Sequence, residues 1–153
     1  MIVIDASIVA KCILPEADSY VALALLADGA ARGEVVVAPP LLPFEVTNVC
    51  WQQVQRGDVT PDEGIVALER FFALSIPLRP LSGSARRRLH TSAFAIASRH
   101  GLSATYDAHY LALAEQLQCD LWTADLRLLR SLGPHRDRVR ALDEYVPEPP
   151  PDA

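Results

Sequence analysis

Short apolar runs alternate with longer segments of helical periodicity along this chain. In the longer segments apolar residues recur every three or four positions, which predicts amphipathic helices, whereas the short runs are typical of buried strands. Strands that alternate with helices favour an α/β fold with a mostly parallel, covered sheet. The predicted strands are 2–4, 34–39, 119–124 and 138–142, and the predicted helices are 7–14, 18–32, 44–57, 60–74, 84–101, 105–118 and 125–132.

The length and composition of the chain predict the size of the domain and the cellular compartment. The chain has 153 residues, half of them hydrophobic, which suits a single domain over 1–146 with a proline-rich, disordered end at 147–153. The sequence contains no apolar run long enough to span a membrane, and the basic start of a signal peptide is missing. Cys12, Cys50 and Cys119 are widely spaced in apolar contexts and are predicted to be core thiols. We therefore expect a cytoplasmic protein without membrane contact.

Four acids stand at positions where the predicted chain turns toward its core. Asp5 and Asp125 each follow an apolar strand, and the carboxyl ends of parallel strands share one edge of a sheet. Glu45 and Asp107 border the apolar stripes of their helices and are expected to lean inward. Each acid also has a simpler explanation, because Asp5 and Asp125 suit helix caps and the other two suit first helical turns.

Acids gathered at one edge would repel one another. A pair about 4 Å apart costs roughly 4 kcal/mol at an effective dielectric constant of 20, so protonation or a cation must offset it. Carboxylate oxygens suit Mg²⁺ or Mn²⁺, and the sequence has no histidine and cysteine spacing typical of zinc. Ser7, Asn48 and Thr123 are placed to orient metal-bound water, or alternatively to bond to the nearby backbone.

Three stretches of the sequence resemble the motifs of the PIN domain family, and specifically the VapC-type toxin ribonucleases of toxin–antitoxin pairs. "VIDASIVAKCILPE" is similar to the first acidic motif, "PPLLPFEVTNVCW" to the second, and "TYDAHYLALAEQLQCDLWTAD" to the third and fourth. The resemblance covers almost the whole chain. It implies a three-layer α/β/α sandwich and a metal-dependent endoribonuclease whose catalytic, metal-binding acids are Asp5, Glu45, Asp107 and Asp125, with Ser7 and Thr123 as accessory hydroxyls.

The resemblance also implies partners. Mg²⁺ is the expected cofactor, with Mn²⁺ able to substitute, and RNA is the expected substrate. A homodimer and a small cognate antitoxin are expected, with the helices around 41–56 and 60–74 forming their surface. The aromatic residues of these helices would lie on that surface or, alternatively, in the core: Phe44, Trp51, Phe71 and Phe72.

An RNA substrate must approach a chain whose formal net charge is −5. Bulk charge therefore does not predict nucleic-acid binding, and a local set of arginines has to supply phosphate contacts. The alternative for each arginine is a solvated helix face or a surface ion pair. His109 is also placed to approach the substrate, or else to pack at the surface. The candidate arginines are Arg86, Arg87, Arg88, Arg127 and Arg130, followed by Arg136, Arg138 and Arg140.

Two other classes of protein stay open from the sequence. In a phosphatase or phosphotransferase, Asp5 would be the nucleophile, but such enzymes usually carry a second aspartate where Ser7 stands, and no catalytic lysine is evident. A receiver-like binding module would need an acidic pocket with a phosphorylated aspartate, which leaves the position of Glu45 unexplained.

Overall fold

The computed structural model describes residues 1–134 and 136–147. The chain forms short strands and longer helices, as the hydrophobic pattern predicts, with four helices in succession between residues 42 and 117. In chain order the elements are β1 (Ile2–Ile4), α1 (Ala6–Ile13), α2 (Ser19–Ala31), β2 (Val36–Val37), α3 (Leu42–Arg56), α4 (Pro61–Ala73), α5 (Gly83–His100), α6 (Tyr106–Leu117), β3 (Asp120–Thr123), α7 (Leu126–Leu132), β4 (Val139–Ala141) and a 3₁₀ turn at Leu142–Glu144.

The four strands form one parallel sheet in the order β2-β1-β3-β4. Ile4 at the end of β1 is in register with Trp122 of β3, so Asp5 lies level with Thr123 at the carboxyl edge. The chain leaves β1 toward β2 on one side, whereas β3 lies on the other side. The gap beyond the ends of β1 and β3 is therefore a topological switch point, where ligands of open α/β sheets usually bind.

Helices cover the sheet in two groups. Helix α1 packs on β3 and contacts α2, α3 and α4, whereas α6 packs on β1 and β3 and carries α5 on its outer side. Val3, Ile4 and Leu121 of the strands and Ile8 and Val9 of α1 are fully buried between these layers. The fold is thus the expected three-layer α/β/α sandwich with a parallel sheet.

The ends of the elements follow local chemistry. Thr60 and Glu63 form a capping box at the start of α4, and Gly101 ends α5 in the left-handed conformation. Strand β2 is shorter than the predicted 34–39 because Pro39 has no N–H for the ladder. Ala38 instead pairs with the extended segment around Leu78.

Burial decides some of the open alternatives. Cys50 and Cys119 are buried, whereas Cys12 is only partly covered. Phe71 belongs to the core at 5% exposure. The other three aromatic residues of α3 and α4 lie at the surface and are 78%, 55% and 64% exposed in the order Phe44, Trp51 and Phe72.

None of the helices in the described ranges combines the length and the apolar character that a bilayer crossing needs. The end predicted to be disordered covers 147–153, and residues 148–153 lie outside the described part of the chain. His135 also lies outside it. The proposed tail, and the domain boundary at 146, stay predictions.

Candidate active site

The four predicted acids line one cleft at the switch point of the sheet. The cleft has a volume of about 960 Å³. Asp5 enters it from the turn after β1, Asp125 from the turn after β3, and Glu45 and Asp107 from the first turns of α3 and α6. Acids from four separate segments of the chain thus share a single solvent-filled space. The lining also includes Phe44, Asn48, Gln52, Tyr106, Tyr110 and Arg127.

Asp5 is the most enclosed of the four, with 5% of its surface exposed. Its Oδ1 accepts hydrogen bonds from the Ser7 hydroxyl at 2.5 Å and from the backbone N–H groups of Ser7 and Ile8 at 3.0 and 3.2 Å. Its Oδ2 accepts one from the hydroxyl of Thr123. The cap of α1 that the sequence suggests is therefore present, and both carboxylate oxygens are held in place.

Ser7 and Thr123 join the two turns that carry Asp5 and Asp125. The Ser7 hydroxyl accepts a hydrogen bond from the backbone N–H of Ala124 at 2.7 Å, and the Thr123 hydroxyl accepts one from Asp125 at 3.0 Å. Each hydroxyl also donates to Asp5. These two hydroxyls therefore hold the turns after β1 and β3 together. The alternative of bonding to the nearby backbone applies to Thr123, in addition to its contact with Asp5, whereas the backbone partner of Ser7 is 117 positions away.

Glu45 is held by a residue whose polar role the sequence analysis missed. The hydroxyl of Tyr110 on α6 donates a hydrogen bond to Glu45 Oε2, and the Tyr110 side chain is 1% exposed. Tyr110 stands three positions after Asp107, a spacing that places two side chains on one face of a helix. This spacing is the signal in the sequence, although Tyr110 also belongs to the apolar stripe of α6, which favours a core residue without a polar role.

Asp125 caps α7 and also borders the cleft. Its Oδ1 accepts hydrogen bonds from the backbone N–H groups of Arg127 at 2.7 Å and Leu128 at 3.2 Å. The capping role suggested by the sequence is therefore real for Asp125, as it is for Asp5. Capping and lining the cleft are compatible, because one carboxylate oxygen serves the helix and leaves the other available.

The carboxylates influence one another. Burial raises the pKa of Asp5 from 3.8 to about 6, against the hydrogen bonds from Ser7, Thr123 and Ile8, and Asp107 adds to the rise. Burial raises the pKa of Glu45 to about 7, with Tyr110 opposing and Asp107 and Asp5 contributing. Burial and then repulsion by Asp125 raise the pKa of Asp107, against the attraction of Arg127. Three of the four acids are thus poorly stabilised as anions and would gain from a nearby cation.

The donor set fits a hydrated Mg²⁺ or Mn²⁺. All four acids offer hard oxygen donors, which these ions prefer. Within residues 1–134 and 136–147, no three acidic, histidine or cysteine side chains are close enough to hold a metal ion together. Mg²⁺ usually binds through one or two carboxylates and retains several waters, so this spacing suits it. Which of the four acids contact the ion directly stays a prediction.

A sequence profile of the PIN domain family matches residues 2–132, a range that contains all four acids. The chain belongs to the PIN domain family. Three relatives extend the match: Ribonuclease VapC3 of Pyrobaculum aerophilum is 31% identical over 127 residues, which cover 83% of this chain and 91% of that protein. Ribonuclease VapC12 of Mycobacterium tuberculosis is 35% identical over 134 residues, which cover 87% and 93%. Ribonuclease VapC9 of the same species is 38% identical over 116 residues, which cover 72% and 85%.

The fold of this PIN domain protein also resembles a solved structure. The crystal structure of PAE2754 from Pyrobaculum aerophilum superimposes with a TM-score of 0.62 at 21% identity, covering 93% of this chain and 89% of that one. This likeness supports the fold alone.

Basic side chains are scarce around the cleft of this PIN domain. Among the predicted phosphate contacts, Arg127 lines the cleft, whereas Arg86, Arg87, Arg88 and Arg130 are exposed elsewhere in the described structure. Three further candidates already bond to other side chains: Arg136 to Glu144 at 2.7 Å, Arg138 to Gln118 at 3.3 Å and Arg140 to Asp120 at 3.0 Å. The alternative of surface pairing therefore applies to these three.

His109 packs at the α5–α6 contact and is not part of the cleft lining. Its Nδ1 lies 2.6 Å from the backbone oxygen of Thr105, and its Nε2 lies 2.9 Å from His90 Nδ1. A carbonyl oxygen only accepts, so Nδ1 of His109 carries the proton. The packed alternative thus describes His109 better than an approach to the substrate.

Proposed function

We propose that this PIN domain protein is a metal-dependent endoribonuclease that hydrolyses RNA phosphodiester bonds as the toxin of a type II toxin–antitoxin pair in the cytoplasm. The main support is the meeting of Asp5, Glu45, Asp107 and Asp125 in one cleft at the switch point of the sheet. The second support is the set of relatives, each named a ribonuclease, that match most of the chain.

The four acids would hold one or two hydrated Mg²⁺ ions, and Mn²⁺ would substitute. When bound, the ion would lower the pKa of a water and offset negative charge on the scissile phosphate. Asp5 is the fixed anchor of this set because Ser7 and Thr123 hold both of its oxygens. Asp107 and Asp125 line the same cleft, and Arg127, whose Nε lies 3.9 Å from Asp125 Oδ1, would contact a phosphate oxygen.

Glu45 is the acid best suited to accept a proton from the attacking water. Tyr110 occupies its Oε2 and leaves Oε1 available as an acceptor. The pKa of Glu45 is raised to about 7 by burial in the metal-free site, and a bound divalent ion would lower it, so the choice of Glu45 rests on the free Oε1. We therefore assign proton acceptance to Glu45 Oε1 and a purely ligating role to Asp5.

The phosphatase alternative fits the site less well. Such enzymes usually carry a second aspartate where Ser7 stands, and the Ser7 hydroxyl instead bonds to Asp5 and to the backbone N–H of Ala124. The receiver-like alternative likewise leaves the paired Glu45 and Tyr110 without a role.

The antitoxin and the homodimer belong to the same proposal. Helices α3 and α4 expose several large apolar residues outside the cleft, which is unusual for a surface that faces only water. These residues would contact a second copy of the chain and a small antitoxin protein. They are Trp51, Ile65, Val66 and Phe72.

RNA cleavage by matched variants tests the proposal. The wild-type protein is expected to cleave an unstructured RNA with Mg²⁺ and to lose this activity in EDTA. Asp107→Asn should reduce the cleavage rate about 100-fold or more, as removal of a group that handles charge in the transition state usually does. The control is Glu69→Gln, which removes an exposed carboxylate from α4 and should cleave normally. Equal cleavage in EDTA, or full activity of folded Asp107→Asn protein, would refute the nuclease assignment.

A further inference from the structure

Two exposed aromatic rings stand at the rim of the acidic cleft. Phe44 is 78% exposed and Tyr106 is 61% exposed, and both line the same cleft as the four acids. Each ring directly precedes an acid of the site, Glu45 and Asp107 respectively. We propose that Phe44 and Tyr106 stack on unpaired bases of the RNA next to the scissile phosphate. This inference rests on the proposed nuclease function and names its substrate as unpaired RNA.

The position of Phe44 is not explained by packing. The buried stripe of α3 is formed by Leu42, Val46 and Cys50, and Phe44 lies off this stripe. Asn48 and Gln52 follow it at intervals of four residues, and both also line the cleft. One face of α3 therefore presents a ring and then two amide side chains to the same space, the combination that binds a base by stacking and by hydrogen bonds to its edge.

The charge of the cleft makes contacts of this kind necessary. Four acids and Arg127 line it, and the net charge of the chain is −5. Phosphate contacts supply most of the affinity of typical nucleic-acid-binding proteins, which are basic. Stacking on an aromatic ring does not depend on positive charge and changes affinity roughly five- to 100-fold per base. The two rings thus provide affinity that the ionic contacts of this cleft do not.

The position of the rings favours contact with bases. Four carboxylates line the centre of the cleft, where a bound divalent ion would hold the scissile phosphate, and the rings are exposed in the same cleft, where the neighbouring bases would lie. Bases inside an RNA duplex are stacked on one another and unavailable, so only loops and single strands can use the rings. The proposed contacts therefore need unpaired nucleotides next to the cut.

The test uses the full chain and an unstructured RNA of about 12 nucleotides, in which 2-aminopurine replaces one base at a time. Phe44→Ala and Tyr106→Ala are each expected to raise KM roughly five- to 100-fold and to leave kcat within about threefold. Phe44→Trp and Tyr106→Phe keep a ring and should restore KM. The matched control is Phe94→Ala, because Phe94 is 71% exposed on α5 and does not line the cleft.

A second readout does not require cleavage. Asp107→Asn protein in Mg²⁺ should quench 2-aminopurine most strongly beside the cut position, and adding Phe44→Ala should remove part of that quenching. An abasic site at the position of strongest quenching should raise the KM of the wild type. The same abasic site should raise the already increased KM of Phe44→Ala only slightly.

Each opposing outcome identifies what has failed. If the wild type cleaves RNA but both alanine variants keep its KM and its quenching, the stacking inference is wrong and the nuclease function stands. Equal cleavage of the same sequence within a duplex would also overturn the inference. If the alanine variants keep the wild-type KM and quenching but sediment as a different oligomer, the stacking inference is wrong and the rings belong to a protein interface. If the wild type cleaves no RNA, the proposed function itself fails.

Discussion

At the scale of single residues, the hydrogen bond from Tyr110 to Glu45 makes a testable link between a buried side chain and the chemistry. Tyr110→Phe keeps the ring and removes the donor. A hydrogen bond to a charged group contributes about 1.5–3 kcal/mol, so we expect kcat to fall roughly ten- to 100-fold. The half-saturating Mg²⁺ concentration should rise as well, because Glu45 loses its fixed orientation. Both quantities are measured by cleavage assays over a range of Mg²⁺.

The chain offers a matched control for that change. Tyr145 donates to Asp28 at 2.6 Å, away from the cleft. Tyr145→Phe removes the same kind of bond and should lower stability without changing kcat or the Mg²⁺ requirement. If Tyr110→Phe behaved like Tyr145→Phe, Tyr110 would be only a packing residue.

Asp5 makes a second residue-scale prediction, which concerns pH. Burial raises its pKa from 3.8 to about 6 in the folded state, so the folded protein binds the proton more tightly than the unfolded chain does. The stabilisation by this proton is complete below about pH 4 and is lost as pH rises through about 6. In EDTA, Asp5 alone should therefore account for a loss on the order of 2–3 kcal/mol of unfolding free energy between these limits. Glu45 and Asp107, whose pKa values are also raised, should add to the total loss.

Asp5→Asn tests the assignment of that loss. Asparagine keeps a capping oxygen for α1 but does not titrate. Urea unfolding in EDTA at pH 4 and pH 7.5 should show a smaller decrease for the variant than for the wild type, and a higher midpoint at pH 7.5. The same decrease in both proteins would place the titrating group elsewhere.

The lesson from the residues is that type and spacing could identify the acids but not their partners. Asp5 and Asp125 follow apolar strands, a pattern visible in the sequence. The bond from Thr123 to Asp5 joins residues 118 positions apart, and the bond from Tyr110 to Glu45 joins residues 65 apart. Such contacts depend on the assembled sheet and have no local signature. RNA contacts by the arginines of α5 stay a prediction, because composition does not tell which face a helix turns to the cleft.

At the scale of elements, Asp125 at the start of α7 has a structural role as a helix cap and a proposed role in RNA cleavage, which two substitutions can separate. Asp125 caps this helix through its Oδ1, and it lines the cleft. Asp125→Asn keeps an effective cap, whereas Asp125→Ala loses one at a cost of about 0.5–2 kcal/mol. We expect both variants to lose cleavage activity and only the alanine variant to lose stability, as measured by thermal unfolding and RNA cleavage.

Thr60→Ala is the control for that experiment. It breaks the capping box of α4, which lies outside the cleft lining, and should lower stability by a similar amount while cleavage continues. Normal activity of Asp125→Asn would leave Asp125 with the capping role alone.

Element limits were predictable where a local signal exists. The capping box at Thr60 and the glycine after α5 mark their helix ends in the sequence. β2 is shorter than predicted because Pro39 has no N–H for the ladder and Ala38 pairs with the segment around Leu78. Local sequence therefore gives the kind of element, while its length depends on which neighbour it meets.

At the scale of the whole molecule, the pattern of strand and helix segments in the sequence was enough to predict a parallel α/β sheet. The switch point of that sheet explains where the four acids meet. The strand order β2-β1-β3-β4 sets β1 beside β3. This order brings Asp5 level with Thr123 and unites motifs from both ends of the chain. Periodicity alone does not fix strand order, so the resemblance to PIN domains had to supply the architecture.

The central claim is that the four acids bind a divalent ion in this cleft. Its most direct test is anomalous diffraction from crystals of the protein saturated with Mn²⁺. We predict one or two anomalous peaks in the cleft, each contacting at least one of Asp5, Glu45, Asp107 and Asp125 directly and others through water, and weakened or absent in Asp107→Asn crystals. Saturating Mn²⁺ that leaves the cleft without a peak, or that binds only at another surface of the molecule, would contradict the account.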